Sequence, residues 1–143
     1  MEDAGTRSAV PAWYWFIAVA ALLFELSGCY AYYLQVSVDP ATMTLDQRTL
    51  AEATPGWMLA AYGLAVGVGL VGAIGLLLRH RFAVTALLIS LVAVVIQFGG
   101  ILIVPALRQS MSSDQFLGPI IIFLLSYGLW HFARMAARRG WLR

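Results

Sequence analysis

The sequence predicts an all-α membrane protein. The expected architecture is a four-helix transmembrane bundle, both termini in the cytoplasm, with a short amphipathic helix in the first outer loop. Three observations carry that expectation. First, the 143 residues are 62% hydrophobic and 11% charged, against about half and a quarter in a soluble domain; so much apolar surface calls for lipid. Second, four apolar runs cover residues 13–34, 56–78, 82–104 and 116–135. Each can cross a hydrocarbon core about 30 Å thick, and backbone in lipid must satisfy its own hydrogen bonds, which makes each a helix. Third, the arginines segregate: Arg7, Arg79, Arg81, Arg134, Arg138, Arg139 and Arg143 fall on one side, Arg48 and Arg108 on the other. The positive-inside rule then places both termini in the cytoplasm. One domain over residues 1–143 is expected from the length.

The first span contains Leu26-Ser27-Gly28-Cys29, a match to the lipobox at which bacterial lipoproteins are cut and lipidated. A signal peptide needs a basic leader and an uncharged apolar core. Here Glu2 and Asp3 oppose Arg7, Glu25 interrupts the core, and residues 30–34 continue apolar where a polar tether belongs. The expectation is a retained membrane helix with Cys29 as an unmodified thiol. As the only cysteine, it forms no intrachain disulfide.

The first loop turns at Asp39-Pro40. Thr44 and Gln47 form a capping box for a short helix running to Ala53, and Leu45, Thr49 and Leu50 would lay it on the bundle mouth or the membrane surface. The second span opens with Thr54 as N-cap and Pro55 at the first helical position. Pro105 closes the third, leaving 105–115 as a short polar loop. Ser113 or Asp114 caps the fourth, with Pro119 in its opening turn. The tail extends that helix to near Gly140, with Trp141 as an interfacial anchor.

Spacing assigns faces. Ala18, Ala21, Glu25, Gly28 and Tyr32 recur every three or four residues, as do Ala86, Ser90, Ala93, Gln97 and Gly100. Tyr62, Ala65, Gly69 and Gly72 form a third stripe, and Gly63 with Gly67 a GxxxG pair that reads as a dimer seam or an internal contact. Small faces mark helix contacts in membranes. At 1.5 Å per residue, Glu25 lies about 18 Å beyond Trp13 and Gln97 about 22 Å beyond Phe82. Glu25, Gln97, Ser126, Tyr127 and Tyr62 are therefore the candidate binding cluster. Glu25 has the greatest weight, because an ionisable group inside a membrane is expensive. With no arginine at its depth, it is expected as a neutral acid bonded to a backbone carbonyl or Gln97.

Arg79, His80, Arg81, His131 and Arg134 form a basic rim suited to anionic lipid headgroups. No residue group has metal-ligand spacing, and neither a cofactor motif nor a catalytic constellation stands out, so no metal, no cofactor and no enzymatic activity are expected. A net charge of +2 is too small to suggest nucleic acid. The expected partners are the lipid bilayer and a homo-oligomer or larger membrane complex.

Several stretches then carry a resemblance: Pro11-Ala12-Trp13-Tyr14-Trp15, Leu23-Phe24-Glu25-Leu26-Ser27-Gly28, Thr54-Pro55-Gly56-Trp57, Gly69 to Arg79, Ser90 to Gln97, and Arg139-Gly140-Trp141-Leu142. Over residues 11–142 the chain resembles a family of small bacterial four-span inner-membrane proteins, often labelled "sugar transporter" or left uncharacterised. The resemblance implies a bacterial cytoplasmic-membrane location. The family pattern has Trp-Asn at Phe24-Glu25, so a polar group there fits it and a carboxylate departs from it. Two functions are expected: first a non-catalytic structural, accessory or regulatory subunit, and alternatively a small-solute or proton-coupled transporter acting as an oligomer through Glu25. A cavity reaching Glu25 would favour the second.

Overall fold

A computed structural model describes residues 10–110 and 112–142 of the chain. Arg7 and Arg143, two of the arginines that set the expected orientation, lie outside the described residues, as do Glu2 and Asp3. The described chain is helical, with no strand: α1 (Ala12–Ser37), α2 (Leu45–Ala53), α3 (Gly56–Leu77), α4 (Phe82–Ile103), α5 (Pro105–Ser110) and α6 (Leu117–Arg138). Four of these, α1, α3, α4 and α6, are long and apolar enough to span a membrane.

The helix ends follow local chemistry, with some departures from expectation. α1 runs three residues past Leu34 and stops at Val38, just before Asp39-Pro40, where proline disfavours helix in what precedes it. Leu26 to Cys29 lie well inside this helix. α2 has the expected capping box: Thr44 Oγ1 accepts from Gln47 N at 3.2 Å, and Gln47 Oε1 accepts from Thr44 N at 3.1 Å. Pro55 is itself the N-cap of α3, and Thr54 closes α2. Pro105 opens α5 rather than a plain loop, since proline suits a first turn whose N–H groups have no helical partner. Ser112, not Ser113 or Asp114, makes a capping box with Gln115 across a 3-10 turn (Ser113–Phe116) that feeds α6. α6 begins at Leu117 and continues to Arg138, so the tail extends it to near Gly140 as expected.

α3 packs between α1 and α4, and α4 between α3 and α6. α1 and α6 share no comparable backbone contact. They meet through side chains at one end of the bundle, where Trp13 and Tyr14 lie against Phe132 and Trp141. Both ends of the described chain are therefore on the same side, termed here the terminal end; α2 and α5 occupy the opposite, loop end.

The terminal end is densely packed. Tyr14, Ala18 and Ala21 of α1 bury against Ala73 and Leu76 of α3, Ala83 and Leu87 of α4, and Ala133 and Ala136 of α6. Small residues recur on these faces because they let helix backbones approach. Two helix ends finish in the same way. Gly140, at φ 75, ends α6 with Trp141 N bonded to Ala136 O at 2.9 Å and Gly140 N to Ala137 O at 3.2 Å, a Schellman motif. Arg79, at φ 58, ends α3 with His80 N on Gly75 O at 2.9 Å and its own N on Leu76 O at 3.2 Å. A left-handed arginine costs about 1 kcal/mol. Its side chain offsets this by donating from Nε to Trp141 O at 2.8 Å. That bond helps hold Trp141 and Leu142 in the bundle, 5% and 2% exposed. Trp141 is thus a core residue, not the interfacial anchor expected. The Tyr14 hydroxyl donates to the Leu76 carbonyl and ties α1 to the end of α3.

Candidate functional site

Glu25 extends the buried face of α1 by one turn beyond Tyr14, Ala18 and Ala21. It is 5% exposed. Its carboxyl lies directly on the backbone of α3 at Gly69, where an added Cβ would stand 2.6 Å from Glu25 Cδ. Only glycine leaves that room, so the small-residue stripe of α3 does more than admit a helix: it seats the carboxyl. Among the described residues no hydrogen bond or ion pair reaches Glu25. The expected bond to Gln97 or to a backbone carbonyl is not made.

Glu25 and Gln97 instead both line a cavity of about 230 Å³. All four long helices bring polar groups to it: α1 Glu25 and Ser27, α3 Tyr62, α4 Ser90 and Gln97, α6 Ser126. It lies at the level where α1 and α6, in side-chain contact at the terminal end, no longer pack on each other. Phe24, Val94 and Phe98 supply apolar wall. Two of the hydroxyls have committed their protons. Ser90 Oγ donates to Ala65 O at 2.7 Å, and Ser27 Oγ donates to Phe24 O at 2.7 Å.

Two more cavities continue toward the loop end. One of about 170 Å³ shares Tyr62 and Gln97 with the first and adds Gln35 and Thr54. Another of about 380 Å³ shares Gln35 and Thr54 with the second and is bounded by Gln47 and Ala51 of α2. The amphipathic loop helix therefore borders the bundle mouth. Tyr62 stands at the junction, its ring stacked on Tyr32 at 5.2 Å. The Tyr32 hydroxyl occupies the space a Cβ at Gly63 would need.

Four of the five expected cluster residues, Glu25, Gln97, Ser126 and Tyr62, meet in one cavity. Tyr127 does not: it is 48% exposed on the outside of α6, stacked on His131 and tilted against Trp130. One residue of rotation separates it from Ser126, about 100° on a helix, and that turns it away. Ser90 was legible as a member of the Gln97 stripe but not as part of the site. Gly69 was legible only as a small residue.

The basic rim is also divided. His80, Arg81 and His131 are exposed at the terminal end, and Arg134 lies over the Trp130 ring at 4.9 Å. Arg79 instead turns inward to Trp141. No group of three or more His, Cys, Asp or Glu residues among the described ones could hold a metal ion. Of the GxxxG pair, Gly63 is covered by Tyr32 within the bundle, while Gly67 is exposed with open space beside it. No protein family, curated protein or solved structure matches this chain.

Proposed function

We propose that this chain is a multi-pass protein of a bacterial cytoplasmic membrane that binds a small solute within the bilayer as part of a transport system, with Glu25 as the engaging group. One observation carries the reading. A carboxyl that is buried, has no partner among the described residues and faces a cavity lined by polar groups from four helices is expensive to keep. Packing alone would favour an apolar residue there, so the cavity supports a solute-handling role over the purely structural or accessory subunit. The linked cavities toward α2 supply the route. Passage across the membrane, as opposed to binding, requires the terminal end to open or a second copy to complete the path.

Accessibility tests this. In a Cys29→Ser background, Ser126→Cys should react with a small water-soluble methanethiosulfonate, while Ala133→Cys in the packed end should not. Equal protection of both would return the chain to the structural class. The orientation is proposed from the arginines: the terminal end faces the cytoplasm. A reporter active only outside the cytoplasm, fused after Arg143, is expected to be silent; strong activity would invert the assignment.

A further inference from the structure

We infer that the Glu25 cavity is built for a small organic ammonium ion, a protonated amine with a compact apolar body, entering from the α2 side. This rests on the solute-binding reading and names its ligand class. The donor and acceptor inventory decides the charge. Ser90 Oγ and Ser27 Oγ have committed their protons to Ala65 O and Phe24 O, both at 2.7 Å, so they offer lone pairs alone. Glu25 adds a carboxyl with no protein donor among the described residues. Tyr62, Gln97 and Ser126 can turn either way, and among the described residues no Lys, Arg or His lines the cavity. The two committed hydroxyls are therefore acceptors, and Glu25, a neutral acid without a counter-charge, can ionise only beside a positive donor, which an ammonium ion supplies. An anion or a neutral solute brings no charge to stabilise the carboxylate.

The walls fit the rest of such a molecule. Phe24, Tyr62 and Phe98 are among the lining residues, and aromatic rings attract cations. At about 30 Å³ per water, about 230 Å³ holds the space of roughly eight waters and so admits a body of benzylamine size, not a drug-sized one. On the entry path, Gln35, Gln47 and Thr54 bring polar but uncharged side chains, which leaves Glu25 as the only carboxyl among the described residues that line the three cavities.

Three probes of one shape separate charge from shape: benzylammonium, benzyl alcohol and benzoate, each titrated calorimetrically into the full chain in detergent micelles. Benzylammonium should bind one per chain, about tenfold or more tighter than the alcohol, the scale of a charge-assisted hydrogen bond. Glu25→Gln should remove that preference. Ser126→Leu, which keeps Glu25 but fills the cavity, should abolish binding and guards against a folding defect in the first variant. Preferred binding of benzyl alcohol or benzoate, or an unchanged benzylammonium affinity in Glu25→Gln, would overturn the cation assignment while leaving a solute site in place. Failure of all three probes to bind the parent would overturn the solute-site reading as well.

Discussion

The two ends of this bundle use the same helices to opposite effect. At the terminal end, α1 and α6 meet through Tyr14, Ala18, Phe132 and Ala133, and the space between them is filled. Two turns further along, the same two helices face each other across a cavity holding Glu25 and Ser126. The difference does not lie in hydrophobicity, since both levels are largely apolar. It lies in what stands between the helices: an alanine and aromatic interlock in one case, a carboxyl, hydroxyls and an amide in the other. Packing stabilises the first level. The second gives up packing contacts and keeps a polar group in a desolvated place, which is the pattern of a site whose stability is traded for binding.

The largest expected effect comes from overfilling each level on the same face of α6. Ala133, 0% exposed, leaves no room, so Ala133→Leu should destabilise by about 1–3 kcal/mol. Ser126, seven residues earlier, is buried too but borders the cavity, so Ser126→Leu should cost less than Ala133→Leu, below about 1 kcal/mol. Detergent unfolding of the two variants compares the levels directly. Similar losses in both would mean that the cavity closes in the folded protein.

A smaller contrast is available on α3. Gly69→Ala drives a methyl into the Glu25 carboxyl, and displacing that acid should offset the helix-propensity gain, for a net change below about 1 kcal/mol. Gly67→Ala meets nothing within 4 Å and should gain up to about 1 kcal/mol through helix propensity. Thermal melting of the pair ranks them. If Gly69→Ala were the more stable variant, the carboxyl would not be held at Gly69.

The smallest effect, and the most diagnostic, is at Glu25. An interhelical hydrogen bond would make Glu25→Leu destabilising. Among the described residues no such bond exists, so removing an uncompensated polar group should leave the melting temperature unchanged or raised. A clear drop would show that the carboxyl has a partner after all, and would weaken its assignment to a ligand.

Much of this protein was legible in its residues. The four spans, the capping box at Thr44 and Gln47, and the stripes on α1, α3 and α4 follow from length, local capping and a period of 3.6, which are properties of short stretches of chain. Thr54, Ser113 and Asp114 were assigned to neighbouring caps because proline and polar residues cluster there and only backbone geometry tells which one ends a helix. Trp141 reads as an interfacial anchor by residue type. It is buried because Gly140 reverses the chain and Arg79, sixty-two residues earlier, holds its carbonyl.

What the sequence by itself determined is the membrane class and the inward direction of Glu25, since both depend on composition and periodicity along one helix. The tertiary structure alone decided that Glu25, Gln97, Ser126 and Tyr62 share a cavity without bonding one another, and that Tyr127 does not join them. Helical period says which face a residue occupies but carries no information on how far apart two helices stand. That distance depends on every side chain packed between them, and here the interlock at Tyr14 and Phe132 brings α1 and α6 together at one end while leaving them apart at the level of the carboxyl.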